Sequence, residues 1–116
     1  GDGYAELVNN CGVMCAPTEV GGTHPVIVEA MAAGAPLVVS DHAPNLEVVG
    51  DTASTFSLAA APASLAEVLA RLLADPERRA LLGTTASDRA REAFGWGLCA
   101  RRYLAVAAAV QVPRAR

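Results

Sequence analysis

Lysine is missing from the chain, and aromatic side chains are scarce: Trp96, Tyr4, Tyr103, Phe56 and Phe94 make up the whole set. The missing lysine excludes a Walker-type phosphate loop, and no glycine run meets the GxGxxG spacing of a dinucleotide fold. Apolar residues make up 53% of the chain, yet no run approaches the ~18 consecutive apolar residues that span a bilayer. Asp2 and Glu6 speak against a signal peptide. No basic stripe stands out against a net charge of −3, and Arg114 and Arg116 are too few to make one. That argues against binding to a nucleic-acid backbone. Cys11, Cys15 and Cys99 form an odd set without metal-ligand spacing, which suggests buried, reduced thiols in a cytoplasmic protein. Proline and glycine are near average usage, so the chain is neither collagen-like nor a linker.

What is present reads as one α/β unit. A chain of 116 residues is one domain at most and, folding alone, buries roughly two thirds of its unfolded surface. Tyr4 to Asn10 reads as the end of a helix stopped at Gly12, and Val13 to Ala16 as a short buried strand ended by Pro17. Pro25 suits the first position of a helix running to Ala33, and Gly34 suits its C-terminal cap. Leu37 to Ser40 is a second buried strand. Two apolar strands joined by a helix of about ten residues make a parallel, right-handed βαβ unit.

Asp41 to Asn45 reads as a loop, Leu46 to Val49 as a helical turn closed by Gly50, and Thr55 to Leu58 as a third, shorter strand. After Pro62 the pattern turns helical. Ser64 and Glu67 have capping-box spacing, and Leu65, Val68, Leu69 and Leu72 share one face. Asp75-Pro76 starts a further helix, expected to end at Gly83; Ala86 to Ala93 and Leu98 to Val110 follow, interrupted at Gly95-Trp96-Gly97. Leucine and valine at helical spacing, from Leu65 to Leu82 and from Trp96 to Leu104, suggest packing. A doubly wound sheet normally has five or more parallel strands. Two firm strands and a third short one suggest the second half of a Rossmann-like domain.

The segment EVGGTHPVIVEAM, residues 19 to 31, lies where open α/β sheets hold ligands, beyond the carboxyl end of a strand. Gly21 and Gly22 admit backbone dihedrals closed to other residues. The N–H groups of Gly22, Thr23 and His24, near a positive helix end, suit a phosphate or diphosphate. Thr23 is placed to cap the helix or to donate its hydroxyl to a ligand. Glu29, one turn further in, can accept two hydrogen bonds from a vicinal diol such as that of a ribose. Each part also has an ordinary reading. A Gly-Gly pair is often just a turn, a helix glutamate is often solvated, and Glu19 and His24 suit an exposed loop equally well. Local chemistry leaves nucleotide binding and a plain turn both open.

The order of blocks adds to this. The Glu-containing glycine loop, PVIVEAMAAGAPLVVSD, NLEVVGD, DPERRALLG and FGWGLCARRYLAV together resemble the C-terminal donor-binding domain of retaining GT-B glycosyltransferases, glycosyltransferase group 1. The match runs from about Tyr4 to Val110. One departure is the spacing of Glu19 and Glu29, ten positions against the usual eight. The form EVGGTHP is similar to a subgroup like the bacterial rhamnosyltransferases of cell-surface polysaccharide synthesis.

The resemblance implies an α/β, partial Rossmann-like parallel sheet with a helical C-terminal tail. Residues 1–116 would be the C-terminal portion of the donor-binding domain, with the first strands and the acceptor domain upstream. It implies transfer of a hexosyl or rhamnosyl group from a nucleotide diphosphate sugar to an acceptor hydroxyl with retention, the segment being inactive alone. The acceptor would be a glycan or lipid-linked molecule held by the N-terminal domain, and the last helix would pack on that domain, leaving Trp96, Tyr103 and Leu104 partly exposed in this segment. Glu19 would stand near the donor sugar as the catalytic carboxylate, Glu29 would bind the ribose, and Gly21, Gly22, Thr23 and His24 would contact sugar and diphosphate. No cofactor or metal is expected: there is no Asp-any-Asp pair, and Asp41-His42 suits a strand-end cap and a loop residue better. The location implied is cytoplasmic, with peripheral association of the full-length protein at the inner face of a membrane admitted. Two other readings stay open: a non-catalytic nucleotide-sugar binding module, and a structural α/β fragment.

Overall fold

A computed structural model describes residues 1–110; the pair Arg114 and Arg116 lies outside the described residues. Helix α1 (Asp2–Asn10) precedes strand β1 (Met14–Ala16), helix α2 (Pro25–Ala32) and strand β2 (Leu37–Ser40). Helix α3 (Ala43–Val49) and strand β3 (Ser54–Phe56) follow, and then helices α4 (Ala63–Leu73), α5 (Pro76–Phe94) and α6 (Trp96–Ala109). The strands form one parallel sheet in the order β1-β2-β3. Met14 pairs with Leu37, Val39 with Thr55 and Ser40 with Phe56. The predicted βαβ unit is therefore present, and the third strand extends it.

β2 is the middle strand and is buried throughout, so its side chains alternate between two cores. Leu37 and Val39 join Ile27, Ala30 and Met31 of α2, Val48 and Val49 of α3, and Ala86 and Ala90 of α5. Val38 faces the opposite way and joins Phe56, Val68 and Leu72 of α4, and Leu82. The Leu65-to-Leu82 stripe is thus core, as its spacing predicts.

Several helix ends follow the sequence directly. Pro25 opens α2. At its other end Gly34 is left-handed (φ 72°), its N–H bonding to the Met31 carbonyl while that of Ala35 reaches Ala30. The Asp75 carboxylate accepts the Arg78 N–H at 2.9 Å, the cap expected there.

Other expectations fail for physical reasons. α1 ends at an extended Cys11, and Gly12 is not left-handed, so Gly12 is no cap. α3 begins three residues early, at Ala43, because Pro44 fits its first turn. Ser64 lies inside α4, where its hydroxyl accepts the Ser57 N–H at 2.9 Å, so there is no capping box. Glu67 is exposed and pairs loosely with Arg71. The three cysteines are half-buried and unpaired, and loss of hydration pushes the Cys15 thiol up.

The largest departure is Gly83. It does not end a helix; it lies inside α5, which is 19 residues long. A Cβ on Gly83 would lie 2.2 Å from the Gly34 carbonyl oxygen, so the glycine lets the backbones of α5 and the α2 cap touch. α6 is exposed, as expected of its Trp96, Tyr103 and Leu104: none of its residues is buried, and Trp96 and Tyr103 are 89% and 80% exposed. Its apolar residues run round the helix rather than along one stripe, and within the described residues it packs chiefly on the end of α5.

Gly83→Ala must push α5 off α2. It is expected to cost about 1–3 kcal/mol or more, the usual range for overpacking. Gly34→Ala places a side chain at positive φ with the Gly83 carbonyl at an ordinary 3.6 Å, and should cost about 1–2 kcal/mol. Urea unfolding of both variants checks the order; equal midpoints would show that the contact is not tight.

Candidate functional site

The loop from Pro17 to His24 leaves the carboxyl end of β1 and delivers the chain to the N-terminus of α2. Its first residues are held from below. Asn45, fully buried on α3, donates to the Ser40 hydroxyl at 2.9 Å and to the Thr18 hydroxyl at 2.8 Å. Ser40, equally buried at the end of β2, donates in turn to the Thr18 carbonyl. Every buried polar group of this cluster is thereby partnered. The cluster fixes the loop to the two elements that follow β2.

Further along, the two histidines of the chain grip successive carbonyls of the loop. His24 Nε2 donates to the Val20 carbonyl at 3.2 Å and His42 Nε2 to the Gly21 carbonyl at 2.9 Å. Both contacts require the proton on Nε2. Gly21 has φ 89°, a left-handed conformation that makes glycine necessary there. Gly22 has no such requirement and open space around it, so the two glycines are not equivalent. The N–H groups of Gly22, Thr23 and His24 have no partner among the described residues. His24, not Thr23, is the N-cap of α2, and it offers no side-chain cap bond.

Asp41 and His42 have structural partners. The Asp41 carboxylate accepts the Leu58 N–H at 3.1 Å, and His42 is the N-cap of α3 as well as the brace on Gly21.

A groove of 720 Å³ runs between α2 and the end of α5, with Thr23, Pro25, Val28 and Glu29 on one side and Phe94 and Trp96 on the other. The structure therefore brings Thr23 and Glu29 to one surface. Glu19, Gly21, Gly22 and His24 are not part of its lining; Glu19 is exposed on the loop. Glu29 is exposed as well and also borders a second, shallower groove of 180 Å³ beside Tyr4 and Val8. The Tyr4 hydroxyl donates to Glu29 Oε2 at 2.9 Å. That hydrogen bond, then lost hydration and repulsion from the carboxylate, holds the Tyr4 phenol above its ordinary range.

Sequence reasoning had no sign of Tyr4, of the Thr18-Ser40-Asn45 cluster, or of the groove wall from Phe94 and Trp96. These residues are separated along the chain by 25, 27 and still more positions. Only the run SDHAPN, polar directly after a buried strand, hinted that the end of β2 had partners to satisfy.

Asn45→Ala removes the hub of the cluster and strands the Thr18 hydroxyl, leaving Ser40 only its bond to the Thr18 carbonyl. It should cost about 1–3 kcal/mol and open the loop to limited proteolysis between residues 17 and 24. Asn45→Ala with unchanged unfolding midpoint and unchanged cleavage would show that the loop is held by other means.

Residues 2–89 match the family described as Glycosyl transferases group 1. A curated relative, the MMP alpha-(1->4)-mannosyltransferase of Mycolicibacterium hassiacum, is 37% identical over 105 residues, 88% of this chain and 25% of the relative. Among solved structures, sucrose-phosphate synthase from Thermosynechococcus elongatus superposes with a TM-score of 0.77 at 25% identity, over 91% of this chain and 28% of the other. The chain thus spans about a quarter of the length of the proteins it matches. The family match ends at Arg89, so the last turn of α5 and all of α6 lie beyond it. A parallel sheet with a pinned glycine loop at its carboxyl edge, matched over most of its length by these sequences, belongs to the group 1 glycosyltransferases.

Proposed function

We propose that residues 1–116 form the C-terminal portion of the donor-binding domain of a longer, retaining glycosyltransferase. The reaction moves a hexosyl group from a nucleotide diphosphate sugar to an acceptor hydroxyl. The bond from the anomeric carbon to the diphosphate breaks, the nucleoside diphosphate leaves with the electron pair and takes up the proton of the acceptor hydroxyl, and the new glycosidic bond forms on the same face. In this reading the segment supplies part of the donor site and does not catalyse transfer by itself. A glycan or lipid-linked acceptor is held by an upstream domain, and the longer protein acts on the cytoplasmic side, peripheral to a membrane where its acceptor is lipid-linked. No helix among the described residues is long and apolar enough to cross a membrane.

The observation that carries this reading is the loop itself. Its backbone is braced at Thr18, Val20 and Gly21, while the N–H groups of Gly22, Thr23 and His24 have no partner among the described residues beside the N-terminus of α2. Preorganised amides at a helix N-terminus favour the negative charge that develops on a leaving diphosphate. We assign the ribose diol to Glu29, a reading supported by its position one turn into α2, on the rim of the same groove as Thr23. Glu19 lies on the exposed loop, where we assign it to the donor sugar. The mannosyl transfer named for the curated relative supports a hexosyl donor.

In the full-length protein, Glu29→Ala should weaken nucleoside diphosphate binding by about ten- to a hundredfold, as expected for hydrogen bonds to a charged group. Isothermal titration measures it, with circular dichroism to confirm folding. Equal affinity in Glu29→Ala and wild type removes the diol assignment. Reading the gene upstream should reveal a second Rossmann-like domain; its absence would favour a free-standing binding module.

A further inference from the structure

Glu29 stands on an exposed face of α2, where a glutamate side chain ordinarily samples many rotamers. Here it does not stand free. Tyr4, on α1, reaches across from a position 25 residues earlier and donates its hydroxyl to Oε2 at 2.9 Å. Tyr4 lies one helical turn before Val8, the buried residue that seats α1 on the core, so its ring is on the face of α1 that turns inward. The two side chains divide the surface between the large groove, with Thr23 and Trp96, and the shallow one, with Val8 and Ala33.

We infer that Tyr4 is a positioning residue that fixes the Glu29 carboxylate for a vicinal diol. The inference rests on the nucleotide-sugar reading of the site. A carboxylate offers about four acceptor positions over two oxygens. One phenol hydrogen bond to Oε2 uses a single position and leaves Oε1 and a remaining lone pair for two hydroxyls. Fixing the rotamer on folding removes an ordering cost that would otherwise fall on ligand binding. A phenol suits this better than a cation would: it orients the carboxylate without neutralising it, so its acceptor strength toward the diol is kept. Tyr4 touches the carboxylate rather than the reacting atoms, so its effect belongs to donor affinity and not to the chemical step.

The test is a cycle in the full-length protein, using UDP and GDP with their 2′,3′-dideoxy counterparts as probes in isothermal titration. Tyr4→Phe keeps the ring and removes only the hydroxyl. It should weaken binding of the preferred ribonucleotide about three- to tenfold, leave the dideoxy form unchanged, and have no further effect in a Glu29→Ala background. In turnover assays the same variant should raise the donor KM with kcat preserved. A Tyr4→Phe protein that loses affinity for both forms equally has lost packing rather than orientation, and the inference is then wrong. Unchanged ribonucleotide affinity also overturns it. Where Glu29→Ala keeps the full preference for ribo over dideoxy, or neither nucleotide binds wild type, the diol reading falls first and the role of Tyr4 falls with it.

Discussion

The backbone of Gly83 rests against the carbonyl of Gly34 with no space for a methyl group between them. That contact decides how closely α5 lies on α2, and the rest of the architecture follows from it. With the helices this close, Ala86 and Ala90 reach the core shared by Ile27, Ala30 and Met31. The end of α5 is carried to the first turn of α2, where Phe94 and Trp96 become the far wall of the groove that Glu29 borders. A larger residue at position 83 would move that wall. The alanine-rich composition serves the same end, since small side chains let helices approach closely without voids.

α5 also secures the other half of the site. The Arg89 side chain donates to the Val48 and Glu47 carbonyls at 2.8 and 3.0 Å, satisfying the C-terminus of α3. A Cβ on Gly50, the C-cap, would come within 3.1 Å of that guanidinium. α3 carries Asn45 near its N-terminus, and Asn45 holds Thr18 at the base of the glycine loop. The loop is thus braced through α3 by the same helix that builds the groove. Its flexible composition and its fixed position are compatible because side chains, rather than neighbouring backbone, hold it.

For the proposed sugar-transfer site this division of labour is chemically sensible. Amides directed at a diphosphate must be in place before the charge develops, since reorganisation during the reaction would add to the barrier. Glycine supplies the close approach and the left-handed turn at Gly21, and the histidines and Asn45 supply the rigidity glycine lacks. The carboxylate on α2 likewise accepts a hydrogen bond from Tyr4 of α1. The exposed α6, which lies outside the family match, contributes Trp96 at its first position and little to the core.

The strands, the βαβ order, the helix ends at Pro25, Gly34, Gly50 and Asp75, and the family were all legible in the amino-acid sequence. These depend on periodicity, on backbone dihedrals that few residues adopt, and on blocks in a fixed order, all of them local properties. Where Ser64 and Gly83 were concerned, local rules pointed the wrong way. A serine with capping-box spacing bonds Ser57 instead, and a glycine that looked like a stop serves a contact with another glycine 49 positions away. Three pairings came from tertiary packing alone: Tyr4 meets Glu29, Asn45 joins Ser40 to Thr18, and Phe94 and Trp96 face Pro25 and Glu29 across the groove. Each of those pairings needs two distant segments brought within a few ångströms. The packing of α5 on α2 does that, through a contact made by the absence of side chains, which leaves no pattern in the sequence to read.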